Sequence, residues 1–123
     1  MRTLIMLTVV AFGATAAFAH DMAKGPNGGQ MVEDAGHHVE FTTKDTQVVL
    51  FLTQASDAPL ATKGATGRVI VQDSAAQAKA DLTAAEPNQL TAKLTTPVKP
   101  GTKLVVSIKL ADGHDVKARF VAK

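Results

Sequence analysis

Cysteine, tryptophan and tyrosine are absent from this 123-residue chain, and phenylalanine, at five positions, is its only aromatic residue apart from histidine. Without cysteine there can be no disulfide framework, thiolate metal site or thiol redox chemistry. Without Trp or Tyr there are few platforms for stacking bases. Charges of both signs are interspersed with no basic block, so nucleic acid is not an expected partner. Neither sign of charge dominates, with 13 Lys and Arg against 11 Asp and Glu. One long apolar run occurs, and it lies at the start.

That run, residues 1–19, has the features of a secretory signal peptide. Arg2 supplies a positive n-region, Leu4 to Phe12 an apolar h-region, and Ala17 and Ala19 around Phe18 an A-x-A-like cleavage site. Its fully apolar part falls short of the roughly 20 residues that a spanning helix needs. Cleavage is expected between Ala19 and His20, giving an exported, periplasmic chain that is not inserted in the membrane. The remaining 104 residues suffice for one domain. A domain of that size buries about 65% of its extended-chain surface, enough to fold without covalent staples.

Residues 20–28 carry Gly, Pro and Asn without periodicity and read as a flexible arm or extended lead-in. Residues 29–123 are a series of short alternating runs separated by turn residues. "QMVED" is stopped at Ala35-Gly36. In "HHVEFTT", His37, Val39 and Phe41 share one face, and His38, Glu40 and Thr42 the other. "KDT" leads as a hairpin turn into the apolar "QVVLFLTQ", expected to be a central strand. "ATGRVIVQD", "AAQAKADLT", "NQLTAKLT", "TKLVVSIKL" and "HDVKARFVA" follow. The Ala-rich 73–86 segment could form a helix by propensity, but its alternation and hairpin spacing favour a strand. The pattern predicts an all-β domain, a β-sandwich or Greek-key barrel of seven or eight strands.

Enzymatic readings find no purchase. Ser56, Ser74 and Ser107 lie outside any nucleophile-elbow context. "GPNGGQ" lacks the Lys-Ser/Thr and the strand–turn–helix context of a phosphate loop. The histidines are the remaining chemistry. A chain starting at His20 would offer its α-amine and imidazole as a chelate suited to Cu(II) or Ni(II), with Asp21 and Met22 alongside. His38 and Glu40 share a strand face and form an alternative nitrogen/oxygen pair, whereas His37, on the opposite face, fits the edge of the core. Asp112-Gly113 is a two-residue hairpin signal that explains itself structurally, with His114 at the rim.

Two resemblances attach to these residues. "KGPNGGQMVEDAGHHVEF" resembles a motif of small periplasmic proteins and of N-terminal regions in CzcB-type heavy-metal efflux adaptors. There a Gly-Pro-x-Gly-Gly segment precedes a short strand and then a His/Glu-bearing strand. It implies a periplasmic β-domain in a metal-handling setting, with a metal-efflux component as partner. "PGTKLVVSIKLADGHDVKARF" resembles the closing hairpin of CopC-type copper-resistance proteins, which bind Cu(II) through a terminal His and an Asp-x-His. That resemblance implies His20, Asp112 and His114 as ligands, although the family's early S-x-P region is replaced by "GPNGG" and its Met-rich Cu(I) ligands are missing.

The expectation is a periplasmic metal-binding carrier or buffer, with copper first and zinc or nickel next. Its ligands would be His20, Asp112 and His114, with His38 and Glu40 as the alternative. Binding should weaken below about pH 6, because imidazoles must be neutral to ligate. The competing expectation is a non-enzymatic envelope module that docks on a partner through a sheet edge.

Overall fold

The computed structural model describes residues 23–123. Nine strands form one antiparallel sheet: β1 (Ala23–Lys24), β2 (Gln30–Asp34), β3 (His37–Lys44), β4 (Gln47–Gln54), β5 (Thr66–Gln72), β6 (Gln77–Ala85), β7 (Gln89–Lys93), β8 (Lys103–Lys109) and β9 (Asp115–Val121). Their spatial order is β1-β2-β3-β4-β7-β6-β5-β8-β9. The strands β5, β6 and β7 are consecutive hairpin partners, and β8 returns over them to lie beside β5, which is the Greek-key arrangement.

Alternation supplies the core. In β4, Val48, Leu50 and Leu52 are fully buried, as are Leu104 and Val106 of β8 and Val116 of β9. Strand β4 lies between β3 and β7, the interior position its apolar run predicts. Phe41 and Phe120 stack with ring centroids 5.1 Å apart, joining strands from opposite ends of the strand order. Such a stack adds about 1 kcal/mol to the burial of the two rings.

That contact reflects how far the sheet curls. Strands β2 and β9 approach each other and are bridged by hydrogen bonds rather than by a continuous ladder. The Gln30 side-chain amide donates to the Val121 carbonyl at 2.8 Å, and the Lys117 backbone N–H donates to Asp34 Oδ2 at 2.8 Å. The result is a barrel closed almost completely, which leaves little exposed edge for intermolecular pairing.

The Ala-rich segment settles as strand β6, paired with β5 on one side and β7 on the other. Two ladders together outweigh a helix propensity that amounts to a few tenths of a kcal/mol per residue. The β2–β3 turn has positive φ at both Ala35 (50°) and Gly36 (79°), the type I′ geometry that matches strand twist. The β8–β9 connection differs from the expected two-residue turn. The Gly113 N–H bonds the Leu110 carbonyl, and the Leu110 N–H bonds the His114 carbonyl, so the loop holds three residues with Gly113 at φ 91°. That is the three-residue hairpin in which glycine takes the left-handed position.

Strand directions divide the turns between two ends. One end, called here the histidine end, gathers the β2–β3 turn, the β4–β5 loop, the β6–β7 turn and the β8–β9 turn. The other, the lysine end, gathers the β1–β2 loop, the β3–β4 and β5–β6 turns, the β7–β8 connection and the C-terminus.

Candidate metal centre at the histidine end

Three histidines, His37, His38 and His114, lie at the histidine end, on β3 and on the β8–β9 turn. They share it with Glu33, Asp34, Asp57, Glu86, Asp112 and Asp115. The strand register brings these together from distant parts of the sequence. The bond from Lys117 to Asp34 fixes the start of β9 beside the end of β2, and with it the two neighbouring turns.

Asp112 and His114 form the best-defined pair. Asp112 Oδ1 accepts the His114 backbone N–H at 3.0 Å, and Oδ2 lies 2.8 Å from His114 Nδ1. Both side chains are open to solvent. The backbone N–H of His114 and then its imidazole hold the Asp112 carboxyl below the usual carboxylate range, with a smaller contribution from the charge of His37. A carboxylate on Nδ1 orients the ring and leaves Nε2 as the donor for a metal, the arrangement commonly found behind ligating histidines.

His37 is half-buried at the rim, and its Nδ1 is buried without a hydrogen-bond partner. His38 sits between two carboxylates, with Nε2 3.8 Å from Glu33 Oε2 and Nδ1 3.5 Å from Asp57 Oδ1. The Nδ1 contact has no hydrogen-bond geometry, so the nitrogen is buried and unsatisfied. Asp57 holds a left-handed backbone at φ 67° in the β4–β5 loop. Nothing in the sequence around Asp57 signals its approach to His38, which depends on how that loop folds back.

Glu40 takes a different role from the one its strand face suggests. It is only 2% exposed, and both of its oxygens are occupied. The Asn27 backbone N–H donates to Oε2 at 2.9 Å, the Gly29 N–H to Oε2 at 3.0 Å, and Asn27 Nδ2 to Oε1 at 3.1 Å. A carboxylate held by several N–H groups is a strong local anchor. The "GPNGG" stretch is therefore the loop that wraps this carboxylate. A Cβ on Gly25 would fall within the Glu40 carboxyl group, and one on Gly29 would strike the Phe41 carbonyl. His38 and Glu40, expected from their shared strand face to form an alternative pair, are not in contact with each other here. The two side chains have separate partners, and Glu40 is spent on the loop.

Residues 23–28, read from the sequence as arm or lead-in, hold β1 and the first part of this anchored loop. His20, with Asp21 and Met22, lies outside the described residues. Among the described residues, no three His, Asp or Glu side chains form a group able to hold a metal ion. Of the residues expected to ligate, Asp112 and His114 are the two that the structure brings together. Compared with protein-family models and with curated proteins, the chain matches none.

Proposed function

We propose that this chain binds a divalent transition metal, copper foremost and zinc or nickel next, as a periplasmic carrier or buffer in metal efflux or resistance. The ligands are the His20 amine and imidazole together with His114, and Asp112 supplies orientation and negative charge. The observation that carries the reading is the convergence of three histidines and six carboxylates on one end of the barrel.

The course of β1 supports it. Ala23 pairs with Met31 and Lys24 with Gln30, antiparallel to β2, so Ala23 is the residue of β1 nearer the histidine end. Three residue steps separate His20 from Ala23, about 10 Å of extended chain. Strand β2 covers the same three steps between Met31 and Asp34. The free Nε2 of His114 adds a nitrogen donor of the type that suits Cu(II).

Titration of Cu(II) and Zn(II) into a chain beginning at His20, followed by calorimetry, tests the proposal. The expected result is one-to-one binding that a single extra N-terminal residue weakens by orders of magnitude and that His114→Ala weakens further. Equal, weak binding in all three chains overturns it.

A further inference from the structure

Charge is segregated along the barrel. The lysine end carries Lys24, Lys44, Lys93, Lys99, Lys103 and Lys123 against the exposed carboxylates Asp45 and Asp73 and the buried Glu40, which the β1–β2 loop encloses. The histidine end carries its six carboxylates against Lys63, Lys109 and Lys117. All six lysines of the lysine end are exposed. Among the described residues, none of them forms a salt bridge; the only Lys or Arg ion pair is Arg68 with Asp81, on the strands between the ends.

We propose that the lysine end is a docking surface for an anionic phospholipid membrane, which the barrel meets end-on without inserting. The distribution of the cations favours this partner. They stand at three separate connections, β1–β2, β3–β4 and β7–β8, and at the C-terminus, spread over the end rather than converging on a cleft, as suits a plane of phosphate groups. A protein partner would call for an apolar centre, and among the described residues Val121 is the only large apolar side chain left exposed. Single-stranded nucleic acid would call for aromatic platforms, and the chain has no Trp or Tyr. Each cation brought to such a surface strengthens binding about fivefold, and the attraction fades beyond a Debye length. Docking in this sense leaves the carboxylate-rich histidine end facing away from the lipid. The proposal stands whether or not the metal reading does.

The test is co-sedimentation with vesicles of mixed phosphatidylglycerol and phosphatidylcholine, and with vesicles of phosphatidylcholine alone. Binding is expected only to the anionic vesicles, with loss at about 0.5 M salt, where the Debye length falls to a few ångströms. The combined Lys44→Gln, Lys99→Gln and Lys103→Gln variant, checked for fold by circular dichroism, should bind about a hundredfold more weakly. Glu86→Gln, at the other end, should bind as well as the parent.

The absence of cysteine allows a second readout through the labelled single-cysteine variants Thr96→Cys and Ala111→Cys. An environment-sensitive dye should respond to vesicles at position 96 and not at 111. Equal binding to both kinds of vesicle, parental binding by the triple variant, or a response at 111 overturns the proposal. Binding to a duplex oligonucleotide without binding to anionic vesicles also overturns it. If the triple variant does not fold, the salt dependence of the parent and the two dye positions decide the matter.

Discussion

Glu40 and Asp112 do similar work near opposite ends of the barrel. Each carboxylate accepts backbone N–H groups from a glycine-containing loop. Glu40 is 2% exposed and enclosed by its loop, whereas the Asp112 side chain is 60% exposed. The difference shows how burial decides what a carboxylate can be used for. Glu40 cannot give up its donors without leaving its own buried carboxylate unpaired, and that penalty makes it a structural anchor. Asp112 can exchange its partners for solvent or an ion at little cost, so it and His114 remain open to chemistry.

The largest expected effects test the enclosed member. Glu40→Ala leaves the Asn27 and Gly29 amides without their acceptor and should destabilise the fold by about 3 kcal/mol in urea denaturation. A loss of less than about 1 kcal/mol would show that the loop is held by something else. Gly25→Ala should be of similar size, about 3 kcal/mol, because the new methyl group competes with the carboxyl group for the same space. Next comes Glu40→Gln, which keeps the shape but removes the charge and two of the acceptor sites, at about 1 to 2 kcal/mol. If Glu40→Gln proves as damaging as Glu40→Ala, the charge matters more than the volume.

Acid titration probes exposed carboxylates at both ends. Asp112 is lowered first by the His114 backbone N–H, and Asp73 first by the Ala75 and then the Ala76 N–H. In each case the folded carboxyl titrates below 3.8, the ordinary value for an aspartate. The stabilisation is therefore complete above that value and is lost as pH falls through the lower, folded value. Asp112→Asn and Asp73→Asn should each reduce the fall in melting temperature between pH 6 and pH 3, with a smaller effect on stability at pH 6 than Glu40→Gln has. An acid limb unchanged in both variants would mean that neither turn depends on its carboxylate.

The fold was legible because alternation in β4, β8 and β9 is strict enough to show the buried face. Leu104, Val106 and Ile108 of β8 and Val116, Ala118 and Phe120 of β9 are buried as that pattern predicts. Strand β1 was not legible, since two residues cannot display a period. The role of Glu40 was hidden for a related reason. On an alternating strand it occupies a position that normally faces water, and only the loop folded over that face buries it. The turn at Asp112-Gly113 was recognised by its glycine, but its length depends on backbone bonds from Leu110 that the sequence does not display. At the histidine end, the Asp112-x-His114 pair is local and could be read directly. The approach of Asp57 to His38 depends on the long β4–β5 loop and could not.

The loop closed around Glu40 also makes distant letters of the sequence interdependent. Asn27 and Gly29 lie 13 and 11 positions before the glutamate they hold, and Gly25 has to remain without a side chain for that glutamate to fit. None of these positions can drift alone without stranding the others, so they should be inherited as one word. A Gly-Pro-Asn-Gly-Gly stretch at this fixed interval from an outward-phased glutamate is then a spelling by which other barrels of this build could be recognised, even where little else in their sequences agrees.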